Sequence, residues 1–283
     1  KYLGPFFLKW LLGLIILNSI IYMKKNNINV ENNEKLRVAL ILFAIAFIAS
    51  IPLFISYMFA AHDDFFTLIK IEGIKDGLLD GQLPVRIHPN TQMGYGYALP
   101  VFYPEFFVYI PAVLRMIGFN IMESYKIFVF LINLATACIA YYSVKTVFKN
   151  TRLGLFGAVI YTLSVYRLQD IYRRAAMGEF LAIIFFPLII CGFYKILTDD
   201  VSEKKYKRSF IPLLIGILGI VNTHILSCEM VMIFVILACT LCAKKIFQKQ
   251  RFFMLLKTAA LSMLLSAYFL IPFFDLIRRD TYK

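Results

Sequence analysis

Two adjacent carboxylates, in His62-Asp63-Asp64-Phe65-Phe66, follow directly on a hydrophobic run. A carboxylate where a membrane helix leaves the bilayer costs free energy unless it faces water, a cation or a ligand. Placed there it has two chemical uses. It can take a proton from a hydroxyl as a general base. Alternatively, Asp63 and Asp64 together can hold a divalent cation, magnesium or manganese, that neutralises a phosphate or diphosphate. Asp63 also stands where a helix N-cap belongs, so one of the pair is expected to cap while the other works.

A second cluster lies in Tyr166-Arg167-Leu168-Gln169-Asp170-Ile171-Tyr172-Arg173-Arg174, continuing to Glu179. Guanidinium groups match a lipid phosphate by paired hydrogen bonds, so Arg167, Arg173 and Arg174 are candidate phosphate ligands. Internal pairing with Asp170 and Glu179 is the alternative, and both can hold at once. His224, in Asn222-Thr223-His224, interrupts a long apolar run and reads equally as a ligand or as a hydrogen-bonded structural histidine. Tyr95, Tyr97 and Tyr103, in the Gly94-Tyr95-Gly96-Tyr97 and following aromatic stretch, suit the wall of a sugar or lipid pocket. The glycines there lack the strand-to-helix setting of a phosphate loop. His62 and Arg86 join the candidate ligands because they share the expected outer face. No Ser-His-Asp spacing, H-E-x-x-H or Walker motif is present, and no nucleic-acid-binding motif.

The elements that must position these groups are membrane helices. The chain has 283 residues, of which 60% are hydrophobic, and a mean hydropathy of +0.74. That is well above the apolar share of a soluble domain. A span needs about 20 apolar residues, and the runs near 5–23, 38–60, 124–144, 153–169, 180–197, 210–226, 228–243 and 253–274 are the candidates. The net charge of +13 sits in loops between these runs, where it marks cytoplasmic sides rather than a nucleic-acid surface. Four basic loops alternate correctly if residues 61–123 form a large outer loop. Within that loop, Ile71, Ile74 and Leu78 recur at helical spacing, which predicts an interfacial helix over 64–80 with Glu72, Asp76 and Asp80 as a solvated stripe. The segment 99–118, with Pro100, Pro104 and Pro111, is expected to lie at the interface rather than cross. Arg167, Arg173 and Arg174 fall on the same outer side, against the positive-inside pattern. Cys239 and Cys242 form a lone C-x-x-C without a second ligand pair and are read as helix packing. The chain starts at Lys1 and stops in a hydrophobic segment, so it is expected to be part of a longer protein, truncated at its C-terminal end.

The order of these blocks resembles the GT-C class of polytopic glycosyltransferases and, more closely, the YfhO-like bacterial membrane family. The resemblance is carried by HDDFFTLIKIEGIKDGLLDGQLPVRIHPN, GYGYALPVFYPEFFVYIPAVLR, SYKIF, YRLQDIYRRAAMGEFLA and NTHILS, between residue 62 and about residue 229. It implies an all-α integral membrane fold, a GT-C-like multi-span bundle with interfacial helices in a large first extracytoplasmic loop. It divides the chain into residues 1–37, an additional N-terminal span and cytoplasmic loop, and residues 38–283, the GT-C-like module. It further implies a multi-pass protein of the bacterial cytoplasmic membrane, with a sugar donor on a polyprenyl phosphate and a cell-envelope glycan or polymer as acceptor. The resemblance places the catalytic base at the start of the first outer loop, on Asp63 or Asp64. The chain departs from the family at Thr67 and Lys70, where relatives carry histidine and arginine, so no ligand role is carried to those two. A non-catalytic transporter, flippase or assembly subunit for lipid-linked saccharides is the rival expectation.

Overall fold

The computed structural model describes residues 30–57 and 61–279; among these the regular structure is helical, joined by loops, with one isolated bridge between His88 and Tyr97. The expected span at 5–23 lies outside the described residues.

Helix α1 (Val30–Ala49) ends where Pro52 enters a 3-10 turn and its missing N–H prevents continuation. Ser50 Oγ donates to Ala46 O (2.7 Å) and accepts from Asn133 Nδ2 (2.8 Å), which ties this end to a later helix. Helix α2 (Asp64–Leu79) matches the helix expected over 64–80. Residues 99–116 form α3 (Leu99–Phe102), a 3-10 turn and α4 (Tyr109–Met116), short pieces with Pro104 between the first two.

Helix α5 (Ile121–Phe148) begins with a reciprocal cap: Asn120 Oδ1 accepts from Glu123 N (2.9 Å) and Glu123 Oε2 accepts from Asn120 N (3.0 Å). It ends at Lys149 in the left-handed region, and Asn150 then caps α6 (Thr151–Thr162). The two helices pack closely because Gly157 presents no side chain to Val144, where a Cβ would sit 2.7 Å from Cγ2. The following elements are α7 (Val165–Gln169), a π-turn at Asp170–Arg174, α8 (Met177–Ile183) and α9 (Phe186–Thr198). The chain then forms α10 (Ile211–Val221), α11 (Ile225–Leu241), α12 (Ala243–Ile246), α13 (Lys249–Leu265) and α14 (Ala267–Arg279).

One apolar core joins Ile71 and Ile74 of α2 to Phe128, Val129 and Ile132 of α5, and to Phe180, Leu181, Leu188 and Ile189 of α8 and α9. Helix α2 is therefore built into the helical body. A smaller core holds α1 against α5 and α6 through Leu42, Ile45, Ala137, Ala140 and Ala158.

Among the described residues, two helices are long and apolar enough to cross a membrane, Ile121–Phe148 and Met177–Thr198. A third is added if α13 and α14, bent by 75° at their junction, count as one. These point to a membrane protein, and the expected runs at 124–144, 180–197 and 253–274 lie on them. The run at 38–60 stops as a helix at Ala49, and residues 58–60 lie outside the described residues. The run at 153–169 breaks at Leu163-Ser164 into helices of 12 and 5 residues. The runs at 210–226 and 228–243 become helices of 11 and 17 residues, parted at Asn222-Thr223-His224. Hydropathy averages composition over a window, whereas a helix is ended by individual backbone bonds and caps.

Candidate functional site

The two sequence blocks that could do chemistry are bonded to one another through the backbone. At the entrance to α2, His62 N donates to Arg173 O (3.1 Å) and Asp63 N donates to Arg174 O (2.8 Å). One turn on, Thr67 Oγ1 donates to Ala175 O (3.0 Å). Three successive carbonyls are available because Asp170–Arg174 is a π-turn closed by Ala175, a non-glycine residue at φ 52°. Such a turn with a left-handed exit is sparsely populated and persists where surrounding contacts enforce it, commonly at functional sites.

The paired acids divide their tasks, but not with Asp63 as the cap. Asp63 occupies the N-cap position of α2, yet its side chain bonds to no helix amide. Asp64 makes the local bonds instead, accepting from Ala61 N (3.3 Å) and Phe65 N (2.6 Å). The Asp63 carboxylate is about half-exposed and lies 3.9 Å from His62 Nδ1. Its charge reaches inward to Lys70, Tyr103 and Asp170.

Lys70 is buried at the centre of this region. Its ammonium lies 4.1 Å from the Tyr103 ring centroid and 4.6 Å from that of Phe66, a cation–π arrangement. It stands 3.9 Å from Glu105 Oε1, while Glu105 Oε2 lies 2.9 Å from His88 Nε2. Burial pulls the Lys70 ammonium below its usual range, opposed by the charges of Glu105 and Asp63. The buried chain Lys70–Glu105–His88 thus links α2, the segment after α3 and the loop before it. Burial, helped by the carboxylates of Glu105, Glu179, Asp63 and Asp170, pushes the Tyr103 phenol up to about 12, so it remains a hydrogen-bond donor across the physiological range. Its hydroxyl lies over Gly178, where a Cβ would come within 2.2 Å, and its ring is 6.1 Å from that of His224.

Arg174 is forked between two carboxylates, with Nη1 3.0 Å from Asp170 Oδ1 and Nη2 2.8 Å from Glu179 Oε2. Tyr166 donates its hydroxyl to Glu179. Asp170 is fully buried, and burial pushes its carboxyl up to about 7; Glu179 adds to the rise and Arg174 and Arg167 oppose it. Arg173 is exposed beside this fork and has no carboxylate partner among the described residues. His224 Nδ1 is 2.8 Å from Ser227 Oγ, which fits a side chain held by the first turn of α11.

Asp63, Asp170, Arg174, Glu179, Tyr103 and His224 are thus brought together. Other candidates are placed differently. Arg167 is 1% exposed, and its guanidinium is occupied by Asn133 Oδ1 (2.8 Å), Thr136 Oγ1 (2.9 Å) and Thr162 O (3.1 Å). Its Nη atoms are thus held by internal acceptors, unlike those of the exposed Arg173. Arg86 Nη2 donates to Tyr268 O (2.6 Å), anchoring the outer loop to α14. Tyr97 exchanges backbone bonds with His88 (2.9 and 3.1 Å), and Tyr95 is 92% exposed at the loop tip, so neither lines the Lys70 region. Glu72 pairs with Arg115 and Lys75, and Asp76 pairs with Lys75 (3.2 Å) and Asn90 (2.9 Å), a scaffold role. Among the described residues, no group of three or more His, Cys, Asp or Glu side chains is gathered around a metal position.

The residues given too little weight in the sequence are Lys70, Glu105 and His88. A signal was present for Lys70. It falls in phase with Thr67, Ile71 and Ile74 on the buried face of α2 rather than with the acidic stripe.

The chain is similar to an uncharacterized protein of Lactococcus lactis subsp. cremoris (strain MG1363), with 23% identity over 226 residues, covering 76% of this chain and 35% of that protein. It therefore spans about a third of the length of that relative. No family model matches the chain, and no solved structure does.

Proposed function

We propose that the chain carries the catalytic module of a GT-C-like membrane glycosyltransferase. It would move a sugar from a polyprenyl-phosphate carrier to a cell-envelope acceptor on the extracytoplasmic side of the bacterial cytoplasmic membrane. The observation that supports this reading best is the backbone bond from Asp63 N to Arg174 O. It fixes a half-exposed carboxylate, a candidate base, beside exposed guanidinium groups, candidate phosphate ligands, at the end of a helix-rich body.

In this reading Asp63 takes the proton of the acceptor hydroxyl. The freed oxygen attacks the anomeric carbon, the bond from that carbon to the phosphate oxygen breaks with inversion, and polyprenyl phosphate leaves with the electron pair. Arg173, which has no ion-pair partner among the described residues, and Arg174 receive the phosphate charge. Asp64 is left with the start of α2, and Tyr103, its ring held against Lys70, is a candidate wall of the sugar pocket. A divalent cation at Asp63 would serve the same charge neutralisation as the arginines.

A second reading, a carrier for lipid-linked saccharides, draws on the two broken apolar runs. Asn222 Nδ2 donates to Ser266 Oγ (3.2 Å), so the break between α10 and α11 is bonded to the bend between α13 and α14. Discontinuous helices meeting in this way are a feature of transporters. The full-length protein in vesicles, supplied with extracted polyprenyl-phosphate sugars and envelope acceptors, separates the two. Sugar appearing on the acceptor supports the enzyme. Lipid crossing the bilayer with no transfer removes it in favour of the carrier.

A further inference from the structure

Helices α13 and α14 meet at a bend of 75°. They have 17 and 13 residues, and so are about 25 Å and about 20 Å long. Laid end to end they would overshoot a hydrocarbon layer of about 30 Å. Turned by 75°, α14 adds only about 5 Å along the axis of α13, and the pair then matches that thickness. The bend is held by hydrogen bonds. Ser266 caps α13, and its Oγ accepts from Asn222 Nδ2 (3.2 Å). Its carbonyl accepts from Phe269 N (3.0 Å) and Leu270 N (2.9 Å), which starts α14 in the new direction.

Around α14, at about 100° per residue, the side chains fall into three sectors. Phe269 is buried, and the Phe273 ring stacks on it with centroids 5.5 Å apart. Ile271, Phe274 and Ile277 form a bare apolar sector, which follows in sequence on Met263, Leu264 and Leu265, exposed at the end of α13. Asp275 and Arg279 form an exposed ion pair (2.9 Å) in the third sector. Hydrocarbon all round would leave that pair without water, and water all round would leave three large apolar side chains bare on one side.

We infer that α14 docks on the bilayer surface, lying along the membrane–water boundary with Ile271, Phe274 and Ile277 against lipid and the Asp275–Arg279 pair in water. A bilayer surface covers the apolar sector and leaves the ion pair hydrated, as for other amphipathic helices of the interface. Tyr268, in the first turn of α14, links this element to the candidate site. Its carbonyl accepts from Arg86 Nη2 (2.6 Å), and its hydroxyl donates to Asn222 Oδ1 (2.5 Å), two residues before His224. The helix therefore holds that end of the body at the level of the boundary. Nothing in this placement depends on sugar transfer.

The test is depth-resolved fluorescence quenching of the full-length protein in phosphatidylcholine vesicles. Trp10→Phe serves as the parent, and Phe274→Trp, Ile277→Trp and Asp275→Trp are each read as the difference from it. Thermal unfolding controls for folding. The Phe274→Trp and Ile277→Trp reporters are expected to be quenched about twofold or more strongly by lipid brominated near the carboxyl end of its acyl chains than by lipid brominated near the methyl end. The Asp275→Trp reporter should be quenched by acrylamide in the water and little by either lipid. Stronger quenching of Phe274→Trp by the methyl-end bromines overturns the placement, because α14 then runs on into hydrocarbon. Quenching by acrylamide alone also overturns it, since the face is then in water. Quenching by none of the three means that a second copy or another protein segment covers the face, which overturns it as well. If Phe274→Trp does not fold, Ile277→Trp decides by the same outcomes.

Discussion

Replacing Asp170 with Asn tests the electrostatics of the site at its most sensitive point. The Asp170 carboxyl is fully buried and rises from 3.8 to about 7. The charges that act on it come from every side: Glu179 on α8, Arg174 on its own turn, Arg167 on α7 and Asp63 at the start of α2. At about 1.4 kcal/mol per pH unit, a rise of about three units corresponds to ~4 kcal/mol. The sign follows from proton counting. Below about pH 4 both folded and unfolded chains hold the proton, and the group costs nothing. Between about pH 4 and 7 the unfolded chain releases it while the folded chain keeps it, so stability falls as pH rises. Above about pH 7 both are ionised and the loss, ~4 kcal/mol in full, is constant. Asp170→Asn does not titrate, so its stability relative to wild type should improve by about that amount from pH 4 to pH 8. The assay is thermal unfolding in detergent followed by circular dichroism, with the difference between variant and wild type plotted against pH. Parallel profiles across this range would refute the burial argument.

Two further substitutions probe the frame around the site. Arg167→Met should destabilise the protein by about 2–4 kcal/mol by orphaning buried acceptors on Asn133, Thr136 and Thr162. It should leave polyprenyl-phosphate affinity unchanged once folding is matched, and a selective loss of that affinity would return Arg167 to the phosphate site. Gly178→Ala forces a Cβ to within 2.2 Å of Tyr103 Oη and should cost about 1–3 kcal/mol in thermal unfolding. Tyr103→Phe in the same chain should recover part of that loss, and no recovery would mean that Thr223 O, at 2.9 Å, is the obstacle.

Helix α2 was legible because one apolar face repeats through Ile71, Ile74 and Leu78, and it runs from Asp64 to Leu79. The interruption at Asn222-Thr223-His224 was legible too, since polar residues break an apolar run there. Where helices end along the apolar runs was not. Pro52, Leu163-Ser164 and the Ser266 bend end or divide runs that hydropathy joins. Within the arginine cluster, sequence placed Arg167, Arg173 and Arg174 alike. What separates them is Asn133 and Thr136, on a helix about 30 residues away, which take up Arg167 and leave Arg173 free of an ion pair among the described residues. Which of Asp63 and Asp64 bonds the amides at the start of α2 is set by the local backbone, since the two share one residue type. Lys70 was set aside because it departs from the family pattern, while its phase on the helix already pointed inward.

The central claim is that Asp63 is the base of a sugar transfer, and the most direct measurement compares Asp63→Asn with Asp64→Asn. The full-length variants are reconstituted with polyprenyl-phosphate sugar donor and envelope acceptor, and initial transfer rates are taken at matched folded protein and donor occupancy. The account predicts that Asp63→Asn loses transfer by about 10²–10⁴-fold with donor binding retained, while Asp64→Asn keeps most of its rate after correction for stability. Equal rates for Asp63→Asn and wild type would contradict it.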